Sequence, residues 1–436
     1  MTTGQDLYIR AKEIIPGGNQ LLSKRPEMFL PEKWPAYYKR AKGIEVWDWD
    51  DNKYFDMSIM GIGASSLGYA NPAVSKAVKK AIDNGVVSTL NSYEEVELAE
   101  KLIDLHPYME MARFARTGGE ADAIAVRIAR AASGKSKVAV CGYHGWHDWY
   151  LATNLGDSSN LNDLLLPGLS PAGVPRQLEK TNLAFHYGNI MELEGIIDMH
   201  GKDLGAIVVE VQRSKDVDIP FLKSVQQIAK KNNTVLIFDE VSSSFRISVG
   251  ALYKLYDLEP DIVTIGKALG NGHPIAAILG KRNVMEAAQN SFISSTYWTE
   301  RVGFVAALET INQFEKHNVV EYLKSLGSYI DLKLVEIFED LDLLIRNVGI
   351  QTIPILAIEE PSPLIIKTIY TQEMLKRGFL ASNVIYLSYA HTEAVIDKFI
   401  SESHKVFSDI KLAQKKGKLN DLLEGPVCHS GFSRLT

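Results

Sequence analysis

Two apolar, β-branched runs in this chain end in residues that can do chemistry. In TVLIFDEV (234–241) the run closes on Asp239 and Glu240, and in DIVTIGKALGNGHP (261–274) it closes on Lys267, between Gly266 and a glycine-rich turn. An open α/β sheet presents the carboxyl ends of its strands to a ligand, so a carboxylate and an amine at two such ends can meet one. On this evidence alone Asp239 also reads as a cap for the following turn. Lys267 is harder to read as structural. An amine set directly after apolar residues is partly desolvated, which favours its neutral, nucleophilic form and suits it to a Schiff base with a carbonyl.

Pyridoxal 5′-phosphate asks for this set: a lysine for its aldehyde, an acid for its pyridine nitrogen and fixed donors for its phosphate. Candidate donors lie in ARTGGEADAIAVRIAR (115–130), where Thr117-Gly118-Gly119 runs into a helix that carries Glu120 and Asp122 in its first turn and closes at Gly134. Helix N-termini hold anions through open amides, and glycines let a phosphate approach. In CGYHGWHDW (141–149), Tyr143, His144 and Gly145 follow a strand end and suit an aromatic ring laid on the cofactor. His144 and His147 lack a third ligand at matching spacing, so no metal is expected.

These residues need a scaffold. Apolar strands at 137–142, 204–211, 234–241 and 261–268 alternate with helical segments such as SVQQIAKKNN (224–233). That alternation predicts an α/β fold with a mostly parallel central sheet covered by helices. Residues 5–15 predict an amphipathic helix stopped by Pro16-Gly17-Gly18, and 34–57 a β-meander around Asp50-Asp51-Asn52. Helices at 325–340 and 367–377 with short strands predict a smaller α+β domain built from both termini. The expected division is 1–55 and 326–436 for the small domain and 56–325 for the large cofactor-binding one. The stretch between Trp149 and Thr181 is too long for a passive connector; it reads as an active-site lid or as an excursion packed on its own core.

With 436 residues, 46% of them apolar and 23% charged, and a mean hydropathy of −0.05, the chain is an ordinary globular protein large enough to bury a cofactor. A net charge of −6 and a pI of about 6.0 argue against a nucleic-acid partner. Cys141 and Cys428 have no disulfide or zinc spacing, and no stretch reads as a signal peptide or membrane span, so a cytoplasmic setting is expected.

Taken together the segments resemble the class III aminotransferases, and within them the glutamate-1-semialdehyde 2,1-aminomutase branch. The resemblance runs through IPGG (15–18), VWDWDDNKYFDM (46–57), TGGEA (117–121), YHG (143–145), FHYGN (185–189), DEVSSSFR (239–246), PDIVTIGKALGNGHPIAA (260–277) and STYWTERVG (295–303). It implies fold type I, with Lys267 as the Schiff-base lysine and proton carrier, Asp239 as partner of the pyridine nitrogen, Val241 on one ring face and Tyr143 on the other. It further implies Gly118 and Gly119 at the phosphate, Glu210 near the cofactor, and Thr296 reaching the phosphate of the neighbouring subunit in a homodimer. The family cycles the cofactor between pyridoxal and pyridoxamine phosphate while an amino donor serves a keto or aldehyde acceptor.

The chain departs from the aminomutase where substrate is read. Ser242-Ser243-Ser244 replaces Met-Thr-Gly, Val211 replaces a proline after Glu210, the carboxylate-binding arginine falls near Lys24 and Arg25, and a C-terminal glutamate becomes Asn383. With the tail GPVCHSGFSRLT, these changes resemble aminomutase-like aminotransferases of bacterial surface-polysaccharide pathways. The expected activity is therefore intermolecular amino transfer; intramolecular transfer by an aminomutase and a non-catalytic relative of the fold are the alternatives.

Overall fold

A computed structural model describes residues 3–162, 164, 167–212 and 216–431. The chain divides into two units. One comprises the residues up to Asn71 with those from Glu321 onward, the other Pro72–Val320. The sequence had placed the junctions at 55/56 and 325/326. Residues 56–71 go with the first unit because their polar groups are satisfied there: Asp56 accepts from Ser58 N–H (2.9 Å) and Tyr69 O–H (2.6 Å), and Ser58 and Ser66 carbonyls accept from Tyr386 and Tyr389 N–H at 2.7 and 2.8 Å.

The larger unit is built on seven strands: β1 (Met111–Ala115), β2 (Lys137–Cys141), β3 (Asn182–Ala184), β4 (Leu204–Glu210), β5 (Val235–Asp239), β6 (Ile262–Ile265) and β7 (Ala276–Gly280). Their order is β1-β7-β6-β5-β4-β2-β3, and only β7 runs against its neighbours. The strands read as unbroken apolar runs because both faces are covered: Val138, Val140, Ile207, Val208, Ile237 and Val263 are fully buried. β1, β3 and β7 were not foreseen. They are short or carry small and charged residues, so periodicity alone gives them no signature.

Helix α1 (Gly118–Ser133) has a Thr117/Glu120 capping box and stops at Gly134, whose left-handed φ of 66° a Cβ would disfavour. Of the long 149–181 stretch, Leu161 and Leu164 are buried in the core, and Asn154 ties the loop by donating to Leu169 O at 2.7 Å and accepting from Leu161 N–H at 3.0 Å. The described part of this stretch is thus anchored to the core of the larger unit by Leu161 and Leu164.

The other unit carries a four-stranded sheet ordered Tyr38–Lys42, Glu45–Asp48, Lys53–Met57 and Phe379–Ala381, the last parallel to its neighbour, plus helices Val319–Asp340, Pro363–Lys376 and Glu393–Lys415. Both termini build it, since Phe379 pairs with Phe55 across the sheet. Among the described residues, no helix is long and apolar enough to cross a membrane.

Candidate active site

The register of the parallel strands sets three polar residues side by side at the carboxyl edge: Glu210 pairs with Asp239, and Asp239 with Thr264. Asp239 is 4% exposed. One of its oxygens accepts from Val241 N–H at 2.9 Å and the other from His144 Nδ1 at 2.7 Å. His144 is fully buried, so Asp239 orients the ring, and its Nε2 has no hydrogen-bond partner among the described residues. The turn reading of Asp239 is thus part of the answer: the carboxylate caps Val241 and still faces a histidine.

Lys267 stands at the start of the turn after β6, in a left-handed conformation (φ 43°) that costs a non-glycine residue on the order of 1 kcal/mol. Its Nζ donates to Ser242 Oγ at 2.5 Å. Burial pushes the amine below its ordinary pKa, while the negative fields of Glu210 and Asp239 act the other way. A neutral amine thus becomes accessible near two carboxylates, which is what a carbonyl-seeking lysine requires.

At the first turn of α1, Glu120 N–H bonds Thr117 Oγ1 (3.3 Å) and Ala121 N–H bonds Thr117 O (3.1 Å). The Gly118 and Gly119 amides have no acceptor among the described residues and point out of the helix end. Gly145, at φ 100°, abuts this turn: a Cβ there would lie 2.9 Å from Gly119 Cα. The loop after β2 can therefore lie against the helix start only as glycine. Tyr143, on that loop, is half-buried, donates its N–H to Glu210 (3.3 Å) and sets its ring edge-on to Tyr150 at 5.9 Å.

The large unit therefore brings together Lys267, Asp239, Val241, Gly118, Gly119, Tyr143, His144 and Glu210. Thr296 is exposed, opening a short 3₁₀ turn whose Tyr297 and Trp298 carbonyls accept from Arg116 at 2.6 and 3.1 Å. Lys24, Arg25 and Asn383 belong to the other unit. There Lys24 is exposed, the Arg25 guanidinium lies where a Gly17 side chain would be (2.6 Å), and Asn383 pairs through its carbonyl with Leu356 N–H at 2.7 Å.

Two residues of the cluster carry no role in the sequence alone. Asp122 is 2% exposed and accepts from Thr264 Oγ1 at 2.7 Å. Its signal was present: it falls on the same helix face as Val126 and Ala129, among buried apolar positions. Ser242 registered only as a variant residue, because nothing local tells that its hydroxyl meets Lys267.

The sequence model for class-III aminotransferases matches residues 31–403. The chain belongs to this family. Among curated relatives, 3-aminobutyryl-CoA aminotransferase of Cloacimonas acidaminovorans is 29% identical over 94% of this chain and 98% of its own, and glutamate-1-semialdehyde 2,1-aminomutase of Methanothrix thermoacetophila is 34% identical over 79% of each. The solved pyridoxal-phosphate form of the FumI protein of Sphingopyxis sp. MTA144 shares the fold, with a TM-score of 0.86 at 23% identity over 97% of this chain and 100% of that one. This class III aminotransferase is thus a fold type I enzyme whose cofactor is pyridoxal 5′-phosphate. Its large unit fits that group: open glycine amides at a helix start complement a phosphate, a buried carboxylate complements a pyridinium N–H, and a desolvated amine complements an aldehyde.

Proposed function

We propose that this enzyme moves an amino group from a donor such as glutamate to the keto or aldehyde carbonyl of a separate anionic acceptor, one used in making surface-polysaccharide precursors. The observation that carries the transfer chemistry is the placement of Lys267 and the His144-oriented Asp239 at the edges of adjacent strands. Bound pyridoxal 5′-phosphate supplies an aldehyde that captures the amine and a protonated ring that accepts the electron pair left on the substrate carbon. Lys267 Nζ would hold the aldehyde and would serve as the base for the proton on the substrate carbon. Ser242 Oγ keeps that nitrogen in place between steps. Asp239 keeps the ring nitrogen protonated, with His144 and Val241 N–H fixing its two oxygens. Gly118 and Gly119 would hold the phosphate, Val241 and Tyr143 would flank the ring, and Glu210 would lie beside the cofactor.

Thr296, exposed on its turn, is the residue we assign to the phosphate of a second copy, which makes the working enzyme a homodimer. Lys24, Arg25 and Asn383 are proposed to read the acceptor, two cations suiting an anionic group. Relatives named for a coenzyme A thioester and for an amino aldehyde acid are consistent with an anionic acceptor.

The test is the visible absorption of the purified protein and of Lys267→Ala, before and after glutamate. A wild-type band that disappears with glutamate, and is missing from the variant, supports the assignment; a protein that takes up no cofactor defeats it. The 34% identity to an aminomutase favours a second reading, intramolecular transfer. Turnover of glutamate-1-semialdehyde without added donor would establish that reading, and inertness toward it would remove it.

A further inference from the structure

The roles assigned above leave the buried carboxyl of Asp122 unused. Asp122 projects from α1 into a space closed by groups from several elements: Thr264 on β6, Asp239 on β5, Glu210 ending β4, Tyr143 and His144 beyond β2, and Lys267 beyond β6. Single ligating atoms of Asp122, His144 and Asp239 all lie within 4.8 Å of one another, and all three residues are buried. Two carboxylates this close, away from water, repel as anions, which favours a proton on one of them.

The hydrogen bonds decide which. Asp239 receives a donor on each oxygen, from His144 and from Val241 N–H, and donors favour the anion. Asp122 receives one, from the Thr264 hydroxyl, which leaves its other oxygen to carry hydrogen. Burial, then the charge of Asp239, push Asp122 in the same direction, well above the usual carboxylate range.

We propose that Asp122 stays protonated in the working enzyme and donates its proton in a hydrogen bond to Asp239, as a positioning residue that tempers the pull of Asp239 on the cofactor's ring nitrogen. The inference rests on the reading of Asp239 as the ring-nitrogen partner. A third donor on that carboxylate spreads its charge, so the ring proton is held less firmly and the electron sink is set by the helix as well as by the strand.

Infrared difference spectroscopy of the holoenzyme, wild type minus Asp122→Asn at neutral pH, reads the proton directly. The expected result is a protonated-carboxyl stretch that Asp122→Asn removes and that Thr264→Val moves to higher frequency, because the hydroxyl no longer bonds the carbonyl oxygen. Absence of the stretch overturns the proposal, and so does one metal ion per chain that a chelator strips from this cluster. Titrating the visible band gives a second reading. Asparagine replaces one neutral donor with another and leaves the midpoint within a few tenths of a unit of wild type. Alanine lowers the midpoint, since a ring nitrogen held more firmly protonated disfavours protonation of the lysine-bound nitrogen. Were Asp122 an anion, asparagine itself would lower the midpoint by about one unit or more. A visible band with no carboxyl stretch sinks only this inference; a missing visible band sinks the assignment of Lys267 instead. Should Asp122→Asn fail to fold, the wild-type stretch and its response to Thr264→Val decide alone.

Discussion

Replacing Gly118 by alanine sets two effects against each other. The residue opens α1 and its φ lies outside the left-handed region, so on propensity alone alanine should strengthen the helix by up to about 0.5–1 kcal/mol. The added Cβ, however, would lie 2.7 Å from Val241 Cγ1 and 3.1 Å from Cγ2, where ordinary contact begins at 3.4 Å. Val241 is 9% exposed and its N–H is bound to Asp239, so it has little freedom to retreat. Overpacking of this kind costs about 1–3 kcal/mol, which outweighs the propensity gain and leaves a net loss of about 1–2 kcal/mol. Because Val241 is assigned to a face of the ring, the loss should fall on the loaded enzyme and weaken cofactor binding about 5- to 30-fold. The assay is the cofactor dissociation constant together with the denaturation midpoint of the holoenzyme. Combining Gly118→Ala with Val241→Ala should cost less than the sum of the two, because the second change removes the atoms that clash. A Gly118→Ala enzyme that binds cofactor as tightly as wild type and melts no lower would refute the reasoning.

Glu240 is fully buried, and burial lifts its pKa to about 7 against the opposing donors Leu252 N–H, Tyr253 N–H and Ser243. The folded chain therefore keeps a proton that the unfolded chain gives up between the ordinary pKa of 4.5 and about 7, so this group's stabilisation declines as pH rises through that window. Relative to Glu240→Gln, wild type should lose about 3 kcal/mol across it, read by urea midpoints at several pH values. His106 works the other way: burial drives its ring to about 4, and its stabilisation is lost as pH falls from 6.5 toward that value, which His106→Phe should abolish. Arg301 holds Glu94 by a two-pronged pair (2.6–3.0 Å) and donates its backbone N–H to Val86 O at 2.9 Å. Arg301→Ala strands a carboxylate that is 6% exposed, so a loss of about 2–4 kcal/mol is expected in urea denaturation, with an effect below 1 kcal/mol counting against the pair. If Thr296 serves the partner's phosphate, mixing Lys267→Ala and Thr296→Ala subunits should restore up to about a quarter of wild-type activity, because half the dimers then hold one intact site; no recovery after verified subunit exchange would place Thr296 in its own subunit's site.

The chain's local patterns carried much of this protein. Apolar runs fixed β2, β4, β5 and β6, since a strand covered on both faces has no room for alternation, and chemistry-bearing residues at their ends marked the site edge. The Thr117-Gly118-Gly119 turn and Gly134 bounded α1, because helix ends are satisfied by neighbours in sequence. β1, β3 and β7 stayed hidden, as their existence depends on hydrogen bonds to strands far along the chain: Met111–Ala115 becomes a strand only by pairing with Ala276–Gly280. The same reason hid the finer chemistry of the site. Sequence spacing put Asp239 and Lys267 at neighbouring strand ends, but whether a carboxyl carries a proton depends on what folding sets beside it. Asp122 meets Asp239 and Thr264, 117 and 142 positions away, and Ser242 meets Lys267 25 positions away, through the sheet register and the packing of one helix on it. Residue types named the chemistry; tertiary packing decided the charges on it, because burial and close approach, which no local pattern records, govern ionisation.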